Sequence, residues 1–251
     1  MQFHRRPLLA GNWKMNGLRG DLAQIQLVAA GFGSVLREKI DIVICPPATL
    51  LPLAAEIAAP AGLLLGGQDC HAQKSGAHTG DIGAAMLADA GASYVIVGHS
   101  ERRTDHGETD EMIRAKAAAA LAVGLTPIIC VGETRVEREV GRAEAVVAAQ
   151  IDASVPADAP PERLVLAYEP VWAIGAGVTP TPKDVGRMHG FARARLDVAV
   201  GQGAKVRILY GGSVKPGNAA ELLHADDVDG ALVGGASLLA AEFLGVAAAY
   251  R

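Results

Sequence analysis

Eight apolar runs of strand length recur along the chain, each closed by a glycine, proline or polar cluster and followed by an alanine-rich stretch with helical spacing. They fall at 7–10, 40–45, 63–67, 94–97, 126–131, 164–168, 206–210 and 230–233. The runs are bulky and continuous rather than alternating, the pattern of parallel strands covered on both faces. Helices are predicted between them at about 18–38, 48–58, 81–90, 108–123, 135–153, 182–200, 216–224 and 238–248. Thr181-Pro182 and Lys215-Pro216 set proline at a first helical position, and Thr109-Asp110-Glu111 sets acid where a helix dipole favours it. An open doubly wound sheet usually stops at five or six strands. Eight strands at roughly 30-residue spacing instead predict an α/β fold, a closed (β/α)8 barrel of eight parallel strands with outer helices. No linker or composition break divides it, so residues 1–251 read as one domain.

Composition narrows the partners. Half of the 251 residues are apolar and only 20% are charged, which excludes disorder, and the net charge of −4 without a long basic block argues against nucleic acid. Cys45, Cys70 and Cys130 form no CxxC pair, which fits neither a disulfide framework nor a cysteine zinc site and suits a reducing compartment. The first residues lack a signal-length apolar core, and the most apolar later stretch, 50–65, is broken by Pro52, Glu56 and Pro60. A soluble, cytoplasmic protein without membrane contact is expected.

A barrel of this kind builds its site just after the carboxyl ends of its strands. There the chain carries Asn12-Trp13-Lys14, Gln68-Asp69, His99-Ser100-Glu101, Gly132-Glu133 and Glu169-Pro170, then Gly211-Gly212-Ser213 and Gly234-Gly235-Ala236-Ser237. Each has an ordinary explanation: a solvated lysine, a hydrogen-bonding spacer histidine, a polar loop glutamate, glycines for turns. Their joint placement on one face is what argues for chemistry, because together they supply a cation, a neutral acid, a base and backbone N–H groups for an anion. P-loop, nucleophile-elbow and HExxH patterns are absent, and His71, His78, His106, His189 and His224 lack ligand spacing, so no metal is expected. Cys130, within the fifth run, reads as a small buried hydrophobe.

The segments AGNWKMNG (10–17), VGHSERR (97–103), ICVGET (129–134), AYEPVWAIG (167–175), ILYGGSV (208–214) and LVGGASL (232–238) stand in one order over the whole length. On these the chain resembles the triosephosphate isomerase family and its TIM barrel. The resemblance implies cofactor-free interconversion of dihydroxyacetone phosphate and D-glyceraldehyde 3-phosphate through an enediolate. By matching position, Glu169 is the base and His99 the electrophile, kept neutral by a helix start. Lys14 and Asn12 hold the developing oxyanion, and Glu101 orients Lys14. Backbone N–H groups of Gly175, Ser213, Gly234 and Gly235 grip the phosphate. Residues 170–180 form a closing lid with Pro170, Val171 and Trp172 as its first hinge and Ile174 and Gly177 within it.

The resemblance further implies a homodimer in which Thr79 completes the neighbour's site, with Asp81 and His106 departing from the usual glutamate and phenylalanine. The lid departs too: 175–180 reads GAGVTP where the family commonly has GTGKTA. The family's latch, a tyrosine hydroxyl (here Tyr210) on the backbone N–H at 180, meets Pro180, which has none. Closure is then expected to rely on Ser213 with Gly177 and on the phosphate. Two rival enzymes keep the barrel: an isomerase of a four-carbon sugar phosphate, and an aldolase using Lys14 as a Schiff base. A non-enzymatic binding protein predicts loss of Lys14, His99 or Glu169, and all three are present.

Overall fold

The computed structural model describes residues 5–174 and 179–251. The strands are β1 Leu8–Asn12, β2 Asp41–Cys45, β3 Leu64–Gly67, β4 Tyr94–Val97, β5 Thr126–Val131, β6 Val165–Tyr168, β7 Arg207–Tyr210 and β8 Gly230–Val233. They pair in sequence order, all parallel, and β8 closes on β1 with Leu8 opposite Gly230. Among the described residues the helices are α1 Leu22–Gly31, α2 Ser34–Lys39, α3 Leu51–Ala58, α4 Ala84–Asp89, α5 Ser100–Asp105, α6 Asp110–Ala122, α7 Arg135–Glu139, α8 Ala143–Ser154, α9 Pro182–Val200, α10 Pro216–Leu223 and α11 Ala240–Ala247. The expected (β/α)8 barrel is therefore the fold, with each strand within two residues of its predicted bounds.

Alternate strand residues point to opposite faces, so each strand feeds two cores. Leu8 and Ala10 of β1, Cys45, Ile96, Cys130 and Leu209 fill the barrel interior, while Leu9, Ile42, Val95, Ile129 and Ile208 pack outward against the helices. The predicted helix 18–38 is in fact two, because Phe32 turns into the core and Gly33 is extended at φ −73, ψ 175. The predicted 135–153 also splits, where Gly141 takes φ +73 between α7 and α8. Side-chain caps set four starts among the described residues: His99 on α5, Thr109 on α6, Thr134 with Glu137 on α7, and Thr181 ahead of Pro182 on α9.

Candidate active site

At the end of β1, Lys14 occupies the left-handed region at φ +54, which costs a non-glycine residue on the order of 1 kcal/mol. Two hydrogen bonds hold it there: Asn12 Oδ1 accepts the Lys14 N–H at 3.0 Å, and Gln68 Nε2 donates to the Lys14 carbonyl at 2.8 Å. Asn12 thus fixes the lysine backbone as well as facing the cavity. The Lys14 ammonium is paired with the Glu101 carboxylate, the partner expected from sequence.

Across the mouth, β4 ends in His99, which caps α5. The Glu101 N–H donates to His99 Nδ1 at 3.2 Å, so the proton of a neutral ring sits on Nε2, facing Glu169 Oε1 at 3.0 Å. Glu169 Oε2 accepts the Ser100 N–H at 3.1 Å. Burial works against the imidazolium, but the charge of Glu169 and then of Glu101 outweigh it, so the resting ring binds its proton more tightly than usual. The larger part of that upward pull comes from Glu169 and lasts only while it faces the ring; once the carboxylate moves, burial and the helix start both favour neutral imidazole against Glu101 alone. Burial likewise raises the Glu169 pKa, yet His99 and the Ser100 N–H reverse this and hold it below the ordinary carboxylate value. Glu169 has no slack behind it. A methyl added to Gly132 would lie 1.7 Å from the Glu169 carbonyl oxygen, and one on Gly211 2.7 Å from its Cγ.

These groups line one cavity of about 320 Å³ together with Ile174, Ser213, Gly234 and Gly235. The structure therefore brings together Asn12, Lys14, His99, Glu169, Ser213, Gly234 and Gly235 from five strand ends. Gly175 and Gly177 lie outside the described residues. Pro170, Val171 and Trp172 lead into a 3-10 turn, Val171–Ala173, bolted to the end of β5. The Val171 N–H donates to the Glu133 carbonyl at 3.1 Å and Trp172 Nε1 to the Glu133 carboxylate at 2.9 Å. Arg138 reaches the same carboxylate at 3.2 Å and stacks over Trp172 at 4.7 Å, and the Tyr168 hydroxyl completes the clamp at 3.1 Å. The sequence put Glu133 at a strand end but gave it no role, and gave none to Arg138 or Tyr168. Cys130 is buried as read from sequence, but its thiol lies against Glu169; burial first, then that charge, push the thiol pKa up.

Thr79 is exposed on the loop after β3, whose residues 73–80 all face outward, and it takes no part in the cavity of its own chain. This loop corrects one sequence reading: it gathers His71, His78 and Asp81, with potential ligand atoms within 4.8 Å of one another. The His71 and His78 rings stack at 4.0 Å, and His71 Nδ1 accepts the Gln73 N–H at 3.1 Å. With Nδ1 accepting, Nε2 carries the ring proton toward Asp81 at 3.9 Å instead of offering a lone pair.

A closed parallel barrel whose carboxyl mouth joins a carboxylate, an imidazole, an ammonium and paired glycines has the architecture of a TIM-barrel enzyme. Residues 7–250 match the family described as Triosephosphate isomerase. The chain is 58% identical to the triosephosphate isomerase of Afipia carboxidovorans, over 97% of each chain, and 57% identical to that of Rhizobium etli, over 98% of this chain and 96% of the relative. The crystal structure of triosephosphate isomerase from Bartonella henselae superposes with a TM-score of 0.91 at 48% identity, covering 98% of this chain and 99% of that one. The chain belongs to the triosephosphate isomerase family.

Proposed function

We propose that this chain, acting as one barrel domain, interconverts dihydroxyacetone phosphate and D-glyceraldehyde 3-phosphate by moving a proton between adjacent carbons. The observation that carries this is the convergence of Glu169, His99 and Lys14 on one cavity that also holds Ser213, Gly234 and Gly235. An ionised Glu169 takes the proton, the His99 Nε2–H polarises the carbonyl, and Lys14 with Asn12 stabilises the oxyanion of the enediolate. The phosphate is held by backbone N–H groups of Gly175, Ser213, Gly234 and Gly235, with no resident cofactor or metal assigned. In the resting arrangement both Glu169 oxygens are engaged and the residue is only 2% exposed. The base must leave Ser100 to reach substrate, and Pro170 couples that step to release of Trp172 from Glu133 as the lid, 170–180, which includes Ile174 and Gly177, closes over the cavity. The relatives reported above bear the triose name, which gives no support to a four-carbon substrate. A coupled assay with glyceraldehyde 3-phosphate tests the reading. Turnover by the wild type and a loss on the order of 10²-fold in Glu169→Asp are expected, since the shorter arm spoils the approach.

The lid of this chain closes without a tyrosine latch. The Tyr210 hydroxyl is buried with no hydrogen-bond partner among the described residues, and Pro180 offers no N–H. A homodimer is part of the same reading, with Thr79 reaching the neighbour's Lys14 region. A groove of about 510 Å³ runs beside Lys14 past Met15, Leu18 and Gln68, and Met15 is 96% and Leu18 78% exposed in the single chain. Apolar side chains so exposed beside a charged site favour a protein partner. A cytoplasmic location fits three free, buried cysteines, and among the described residues no helix is long and apolar enough to cross a membrane.

A further inference from the structure

The described cavity lining contains two cations, Lys14 and Lys215. The Lys14 ammonium, which serves the oxyanion, has its charge offset at rest by Glu101. This leaves Lys215 as the cavity-lining ammonium with no counter-charge among the described residues. Lys215 stands at the rim beside the glycine cradle, exposed, and its ammonium makes no ion pair or hydrogen bond among the described residues. Its backbone is fixed all the same. The Lys215 N–H donates to Asn218 Oδ1 at 2.8 Å, and Asn218 Nδ2 donates to the Ser213 carbonyl at 3.1 Å, so one side chain braces both the cradle loop and the lysine's attachment point. Although Lys215 is the residue ahead of α10, its side chain caps nothing.

We infer that Lys215 is a positioning residue for the dianionic group of the substrate, drawing the phosphate ester to the cradle with a charge that no carboxylate among the described residues offsets. This rests on the isomerase reading and adds to it a charge outside the backbone cradle. An ammonium several ångströms from a dianion at the water-exposed rim acts through a high dielectric, so its effect is modest and salt-dependent. The test compares Lys215→Gln, Lys215→Arg and Lys215→Glu with wild type in glyceraldehyde 3-phosphate turnover, from about 10 mM to about 0.5 M potassium chloride. At low salt Gln is expected to lose about fivefold in kcat/KM, Glu more, and Arg to stay near wild type. The curves should converge at high salt, with the loss residing in KM rather than kcat. Superimposable Gln and wild-type curves, a loss that ignores salt, or a fall carried by kcat would each overturn the assignment. A wild type that does not turn over the substrate would instead overturn the isomerase reading itself.

Discussion

At the amino-terminal base of the barrel, Arg193 commits all of its nitrogens: Nε to Asp227 at 2.5 Å, Nη1 to the carbonyls of Gly203 and Val206, and Nη2 to Asp229 at 2.7 Å. Asp229 in turn accepts from Arg5 at 2.6 Å and from the Ile208 N–H at 2.8 Å. Nearby, Arg207 bridges Asp41 at 2.9 Å and the Tyr94 hydroxyl at 2.7 Å, tying the starts of three strands. The mouth is built the other way. Its lysine sits in a strained backbone conformation, its glutamate is held by the Ser100 N–H and His99, and its rim ammonium and the Tyr210 hydroxyl have no partners among the described residues. One end uses polar groups to fix strand ends; the other sets them against one another around an open cavity, and tolerates strain that the amino-terminal end helps to offset.

The sharpest way to break this contrast is at Asp229. Asp229→Ala takes a buried carboxylate from the half-buried Arg5 and Arg193 and from the Ile208 N–H, and should cost about 2–3 kcal/mol in denaturant unfolding, with kcat/KM per folded molecule near wild type. A stable variant with poor catalysis would reverse the roles assigned to the two ends. Next, Lys14→Met should cut kcat/KM on the order of 10²- to 10³-fold while melting within a few degrees of wild type; retained activity would remove the cation from the mechanism. His189 lies between the two ends, fully buried against Tyr168, and burial pushes its pKa down to about 4. The unfolded chain takes up that proton below about pH 6.5 and the native state only near 4, so stability falls as pH drops through this window. The loss totals about 3 kcal/mol at pH 4 and below. His189→Asn should flatten that slope, and an unchanged pH profile of unfolding would refute it. The smallest effect is expected for Tyr210→Phe: less than about threefold in kcat, since one typical hydrogen bond is worth about 0.5–1.5 kcal/mol and this hydroxyl has no latch to lose. A large fall would reveal a partner after all.

The strands were legible because bulky continuous runs need two-sided cover, and Asn12, Lys14, His99, Glu169, Ser213, Gly234 and Gly235 could be singled out because they follow strand ends; the structure gathers them on one cavity. What the sequence missed depends on contacts between distant parts of the chain. Glu133 meets Trp172 across 39 positions and the Ser100 N–H meets Glu169 across 69, and no periodicity announces either. The His71, His78 and Asp81 group forms only because the loop after β3 folds back on itself. The breaks at Gly33 and Gly141 were hidden by helical spacing that runs through them.

The two glycines under Glu169 bear on how such an enzyme is re-engineered. With a carbonyl 1.7 Å and a methylene 2.7 Å from where a methyl would go, neither Gly132 nor Gly211 accepts even alanine without displacing Glu169. A mutational library aimed at a bulkier sugar is therefore best confined to the rim and the lid, leaving the bed beneath the carboxylate untouched.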